Sequence, residues 1–327
     1  MKISRSKRSS VFATIFAMSM GFAAQHTLAD AGAQSSPWGP HDEIGSLNAM
    51  TDQSRLDVLS AVTTGRAYDL GVELFVGMPD CCSAAFGDPT FQIMMTHTPS
   101  RADGSELLSH SSEAIIMNTH TGTHMDTLSH FGLHGEIWNG VSAKDSLGDR
   151  GWHKSGAENY PPIIARGVLI DVVGSKGTEQ LPASYTISVA DVRTALEQQQ
   201  TELLPGDVVL IRTGQMTKWP AQEGRSLFKE PGVGLEAAKW LVEEKGAMLL
   251  GADNFGLESF PSADPQNFAP VHSYLLAEKG IPFFELLWLE DLARDKVYEF
   301  LFVGAPIKLR GASGAPVRPL AIPIAAK

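Results

Sequence analysis

From residue 166 to residue 305, continuous apolar and β-branched runs alternate with amphipathic helical patterns, and this alternation limits the fold more than any other feature of the chain. The runs are "RGVLIDVV" (166–173), "DVVLIR" (207–212), "AMLLGAD" (247–253) and "EFLFVGA" (299–305). A run apolar at consecutive positions, rather than at every second one, reads as a strand buried on both faces. "EAIIMNT" (113–119) reads as a further strand upstream. Between the runs, "SVADVRTALEQQQ" (188–200) opens with Ser188 and Asp191 at capping-box spacing. "GLEAAKWLVEEKG" (234–246) and "VHSYLLAEKG" (271–280) close on Gly246 and Gly280, each placed to cap a helix C-terminus. An earlier helix is expected over 52–61 with Thr51 as its N-cap. Strands alternating with helices predict an α/β domain. No repeat or low-complexity linker divides it, so one domain is expected.

The N-terminus is a separate matter. Lys2, Arg5, Lys7 and Arg8 precede a mostly apolar stretch from Val11 to Ala24, followed by small residues with candidate cleavage after Ala29 or as late as Ala33. That order is a secretory signal peptide over residues 1–29, too short in its apolar part to span a membrane. It implies a periplasmic or secreted protein. Residues 30–50 then read as an N-terminal arm rich in turn formers, and 51–327 as the main domain. Without residues 1–29 the chain carries 22 basic against 37 acidic residues, a formal charge of −15. Such a surface repels nucleic acid and anionic lipid, so neither is expected as a partner. Cys81 and Cys82 are the only cysteines. Adjacent cysteines rarely bridge each other, so they read as small buried hydrophobes.

The chemistry concentrates in "HTGTHMDTLSH", residues 120–130. Gly122 breaks any helix there, and the strand before it suggests a sharp turn that lets side chains two and four apart converge. Neutral imidazoles and a carboxylate suit Zn²⁺ or Mn²⁺, and three protein ligands leave open positions of the catalytic kind. The remaining histidines, His26, His41, His97, His110, His134 and His153, read as structural. Asp253 and Glu258 in "GADNFGLE" read equally as partners of a ligating histidine or as turn and cap residues. Gly232 and Gly234 form a turn without the Lys-Ser/Thr of a phosphate loop, and no Gly-x-Ser-x-Gly supports a serine nucleophile. Phe86, Trp138, Phe255 and Trp288 could line a pocket, although aromatic side chains more often fill cores.

The string His-x-Gly-Thr-His-x-Asp-x-x-x-His resembles the signature of the putative cyclase family, which includes bacterial kynurenine formamidases and isatin hydrolases. "WGPHDEIGSLN", "GDVVLIRTG", "GADNFGLE" and "EFLFVGAPIKLRGASGAPVRPLAI" extend the resemblance from about Trp38 to Ile324. It implies a layered β/β/α fold of the swivelling-domain, cyclase-like kind with a mixed, barrel-like sheet. It also implies a homodimer or homotetramer, with residues 38–50 as an interface element. His120, His124 and Asp126 would hold a first metal. Asp126 would bridge to a second, completed by His272 of "VHSYLL" and Glu285 of "IPFFELL", and His130 would stay free as catalytic acid/base. Family members differ in whether they hold one ion or two, Zn²⁺ or Mn²⁺. Glu285 fits from its own surroundings too, since a carboxylate in so apolar a run needs a partner.

Two positions depart from the family pattern. Leu128 replaces the proline usual before the catalytic histidine, and Met78 in "VGMPDCC" stands near where kynurenine formamidases place a ring-contacting tryptophan. A thioether is a poorer stacking platform than an indole. The implied activity is metal-dependent hydrolysis of a C–N amide bond in a small aryl formamide or cyclic, lactam-like amide. In that reading a metal-activated water is the nucleophile and His130 moves the proton. Two other readings stand beside it. One is a metal-dependent cyclase or lyase acting on a small carbonyl compound without net hydrolysis. The other is a non-catalytic exported protein that binds a metal or solute.

Overall fold

The computed structural model describes residues 35–80, 86–98, 110–221 and 227–325. The expected signal segment and Cys81 and Cys82 lie outside them. Each of the four downstream runs forms a strand. In chain order the strands used below are β1 (Tyr68–Asp69), β2 (Gln92–His97), β3 (Ser112–Ile116), β4 (His124–Asp126), β5 (Ile163–Asp171), β6 (Val208–Arg212), β7 (Leu249–Ala252), β8 (Phe283–Glu285), β9 (Glu299–Gly304), β10 (Gly314–Pro316) and β11 (Leu320–Pro323). Nine of them make one curled, half-barrel sheet in the order β1-β11-β9-β5-β6-β7-β8-β4-β10.

β5, β6, β7 and β8 run parallel, and antiparallel strands flank them on both sides, so the sheet is mixed. Parallel neighbours require crossovers, which is why helical patterns separate these runs in the sequence. Helix α2 (Val189–Gln199) lies between β5 and β6, α3 (Leu235–Lys239) between β6 and β7, and α4 (Pro270–His272) between β7 and β8. The Ser188–Asp191 capping box forms as expected, and α2 buries Val192, Ala195 and Leu196. Both α3 and α4 widen into a π turn before Gly246 (φ +71°) and Gly280 (φ +63°). The expected helix at 52–61 is α1 (Asp52–Ser60), where Thr51 and Ser54 cap each other reciprocally. Val168, Leu169, Ile170, Val208, Val209, Leu210, Leu249, Leu250, Phe283 and Phe284 are wholly buried, as strands covered on both faces require.

The run at 113–119 differs. Among the described residues its strand β3 pairs with β2 alone, and Ile93, Met94, Met95, Ile115 and Ile116 are exposed. Apolar content alone did not separate a projecting hairpin from a core strand. Residues 36–50 lie on the body of their own chain. Asp42 accepts from Trp138 Nε1 at 2.7 Å and from Asn48 at 2.7 Å, and Ser46 Oγ donates to the Met248 carbonyl at 2.6 Å. Among the described residues no helix is long and apolar enough to cross a membrane.

Candidate metal centre and active site

β4 carries the first half of the site. A strand points alternate side chains to one face, so His124 and Asp126 share a face while Met125, fully buried, enters the core. β8 pairs antiparallel with β4 in a register that sets Glu285 opposite His124. Directly paired residues project to the same side, and His124 Nε2 consequently lies 3.4 Å from Glu285 Oε2. His120 arrives from the turn before β4, which Gly122 makes with φ +65°; a Cβ there would also collide with Leu74. His272 comes from α4, a quite different part of the chain.

These side chains converge on Asp126. Its Oδ1 is 3.4 Å from His120 Nε2 and 3.2 Å from His124 Nε2, and its Oδ2 is 3.5 Å from His130 Nε2 and 3.9 Å from His272 Nε2. His272 Nε2 lies 3.5 Å from Glu285 Oε1. The six residues singled out in the sequence therefore meet in one cluster. His120, Asp126 and His130, and separately His124, Asp126 and Glu285, have donor atoms close enough to share an ion. Distance alone does not set His130 apart from the others. Exposure does: its side chain is 27% exposed, against 10% or less for the other five.

Three of the imidazoles are fixed from behind. His120 Nδ1 is 3.1 Å from Asn118 Oδ1, His124 Nδ1 donates to the Gly122 carbonyl at 2.8 Å, and His272 Nδ1 is 2.6 Å from Glu258 Oε1. A bond on Nδ1 leaves Nε2 to face the cluster, the usual arrangement behind ligating histidines. Glu258 also accepts from the Val271 and His272 backbone N–H groups at the start of α4. Both sequence readings of Glu258 are thus realised in one carboxylate. Asp253 instead accepts from Thr213 N, Thr213 Oγ1 and Gly214 N, bracing the loop after β6, and burial pushes its carboxyl up to about 6.

Five buried atoms, His120 Nε2, His124 Nε2, both Asp126 oxygens and Glu285 Oε1, have no hydrogen-bond partner among the described residues. Such groups cost about 1–3 kcal/mol each when left unpaired, more if charged. Nitrogen and carboxylate donors gathered in this way fit a divalent cation. Without one, the cluster holds protons. Burial pushes the His124 imidazole down, but Asp126 and Glu285 outweigh it and hold it well above its ordinary value. Burial acts the same way on His272, and Glu258 and Glu285 raise it to about 10. His120 and His130 go the other way, lowered chiefly by burial. A cation taking these lone pairs must displace the protons held there.

The turn to His130 is fastened by other side chains. Leu128 N donates to Tyr160 Oη at 2.8 Å, Thr127 Oγ1 donates to the Ser313 carbonyl at 2.8 Å, and His130 N donates to the Thr127 carbonyl at 3.0 Å. Leucine in place of proline exposes an N–H, and Tyr160 satisfies it. Met78 is buried behind Gly122 and is not in the cavity wall.

The cavity above the cluster measures about 730 Å³ and is lined by Phe86, Phe131, Phe228, Phe255, Phe260 and Phe268 around His120, His124, His130, His272 and Glu285. Of the four aromatic candidates, Phe86 and Phe255 line it, while Trp138 is buried against Asp42 and Trp288 packs by Leu286. Phe131, Phe228, Phe260 and Phe268 were missed. Phe131 directly follows His130, and Phe260 and Phe268 sit in the turn-rich "ESFPSADPQNFAP", where an aromatic ring has no strand or helix to pack it.

A family model described as Putative cyclase matches residues 68–259. The chain belongs to the putative cyclase family. A crystal structure of a novel cyclase is 30% identical over 87% of this chain and 95% of that one, with a TM-score of 0.78. Isatin hydrolase A from Labrenzia aggregata, bound to benzyl benzoate, shares 21% identity over 83% of this chain and 99% of its own, with a TM-score of 0.62. Isatin hydrolase A from Ralstonia solanacearum shares 22% over 79% and 92%, with a TM-score of 0.57. At those identities the two hydrolases share the cyclase fold with this chain. Comparison with curated proteins yields no match.

Proposed function

We propose that this cyclase-family protein is a metal-dependent hydrolase of a C–N amide bond in a small aryl formamide or cyclic amide. The observation that carries the reading is the set of buried, unpartnered imidazole and carboxylate atoms at the floor of an aromatic cavity, with one accessible histidine beside them. His120, His124 and Asp126 would hold one Zn²⁺ or Mn²⁺. Asp126, His272 and Glu285 would hold a second where two are bound. The chemistry a bound divalent ion supplies is acidification of water and polarisation of a carbonyl. Asn118 and Glu258 keep two of the imidazoles turned toward the cluster, and the phenylalanines exclude water and align the substrate ring. His130, open to the cavity, delivers a proton from Nε2 to the leaving nitrogen.

A rim histidine that binds no structural partner through Nδ1 among the described residues favours turnover over storage of a metal or solute. Segment 1–29 is proposed as a signal peptide, followed by the arm 30–50 and the catalytic domain 51–327, with the mature chain periplasmic or secreted and acting as a homodimer or homotetramer. The test is an absorbance assay of the metal-loaded protein with isatin and N-formylkynurenine side by side. Hydrolysis lost to a chelator, and reduced about 10²- to 10⁴-fold in His130→Ala with the metal retained, is expected. Full activity of His130→Ala would remove its assigned role. Conversion without uptake of water would turn the reading to a cyclase or lyase.

A further inference from the structure

The cavity is larger and more apolar than an amide on a single ring requires. At about 730 Å³ it falls in the range that encloses drug-sized ligands. Its phenylalanines form two tiers. Phe255 is buried, packed with Met216 and Leu286, and the edge of the Phe260 ring comes so close to Gly256 that a Cβ there would sit 2.5 Å from it. Phe131 stands beside the chemistry, its centroid 5.0 Å from His130 and 4.7 Å from His272. The Phe268 ring lies 5.7 Å from that of Phe131, centroid to centroid. It and Phe86 and Phe228, all at the mouth, are 62–66% exposed. Large apolar side chains exposed together around an opening mark a binding surface.

Charge points the same way. Among the described residues that line the cavity there is no lysine or arginine, and the only charged side chains besides the histidines are Asp88 and Glu285. A substrate carboxylate carried on the ring away from the cluster would give up part of its hydration and, among the described lining residues, meet phenylalanines, Asp88 and a few uncharged polar side chains such as Ser262, with no cation to offset it. Burying a charge without a partner is costly.

We propose that the substrate is an uncharged amide with two apolar parts: a ring beside the scissile bond held by Phe131, Phe255 and Phe260, and a second ring or apolar arm reaching Phe268, Phe86 and Phe228 at the mouth. This rests on the amide-hydrolase reading for the identity of the reacting bond. The two-tier wall and the lack of a cation among the described lining residues discriminate against amino-acid-like and carboxylate-bearing amides.

Three formanilides that differ only at the ring position opposite nitrogen test it: formanilide, 4-phenylformanilide and 4-formamidobenzoate. Binding is measured by calorimetry with metal-loaded His130→Ala and turnover with the unaltered protein. The added phenyl group is expected to tighten binding and raise kcat/KM about tenfold or more, and the carboxylate to weaken both by about tenfold. In Phe268→Ala the advantage of the second ring should fall below about threefold. Equal or tighter binding of the benzoate, or no gain from the phenyl group, overturns the proposal even if all three are hydrolysed. The expected order of binding without turnover of any of them would uphold the cavity's preference and defeat the hydrolase reading instead.

Discussion

At the scale of single residues, the site depends on groups that never face the cavity. Glu258 holds His272 through Nδ1 and caps the helix that carries it. Glu258→Gln keeps an acceptor for the backbone but loses the charge that favours a fixed imidazole. Metal affinity, measured by competition with a chromophoric chelator, is expected to fall about 10- to 100-fold. Unchanged affinity would reduce Glu258 to a helix cap. Tyr160 is a second such residue. Tyr160→Phe strands the buried Leu128 N–H, and urea unfolding should show a loss of about 1–3 kcal/mol. No measurable loss would mean that water or a shift of the turn replaces the hydroxyl.

The residues that converge on Asp126 were legible because most lie within eleven positions of one another, or in apolar runs where a charge is conspicuous, as Glu285 is. Tyr160 was not. Its partner is 32 residues away, and nothing in the intervening sequence ties a tyrosine to a turn.

At the scale of elements, local signals and tertiary context agreed wherever the period was unambiguous. The Ser188–Asp191 box is the clearest case, and it carries a pH dependence. Burial pulls the Asp191 carboxyl up, but Lys176, Ser188 and Tyr185 outweigh it and hold it at about 2. A carboxyl depressed below its ordinary 3.8 stabilises the folded state fully above that pH. The contribution is lost as pH falls through about 2. Because the group is partly exposed, solvent screening keeps the effect small. Ser188→Ala should cost about 1 kcal/mol near neutrality. Thermal melts of Asp191→Ala and the unaltered protein should differ most at neutral pH and converge toward pH 2; a constant difference would show that charge is not involved.

The hairpin of β2 and β3 shows where element-level reading stops. "EAIIMNT" has the composition of a core strand, yet among the described residues its strand partner is β2 alone, and only the three-dimensional arrangement shows that its apolar side chains are exposed. The π turns that end α3 and α4 were equally invisible, since they alter hydrogen-bond spacing without altering the apolar pattern.

Across the whole molecule, the mixed sheet brings together a strand from the first half of the chain and a strand and helix from the second. The alternation of strands and helices foretold an α/β domain. It did not foretell the placement of β4 between β8 and β10, which sets Glu285 opposite His124 and Gly314 opposite Asp126. The aromatic cavity was the least legible feature, because its walls come from six phenylalanines spread from residue 86 to residue 268. No local period connects them, so only the closed fold shows that they share a surface.

The account rests on the convergence of His120, His124, Asp126, His272 and Glu285 as a metal centre. The most direct test is titration of chelator-treated protein with Zn²⁺ and Mn²⁺ by calorimetry, alongside Asp126→Asn. Binding of one or two ions per chain, with proton release and with affinity lost in Asp126→Asn, is predicted. A chain that binds neither ion, or an Asp126→Asn variant that binds as tightly as the unaltered protein, would contradict it.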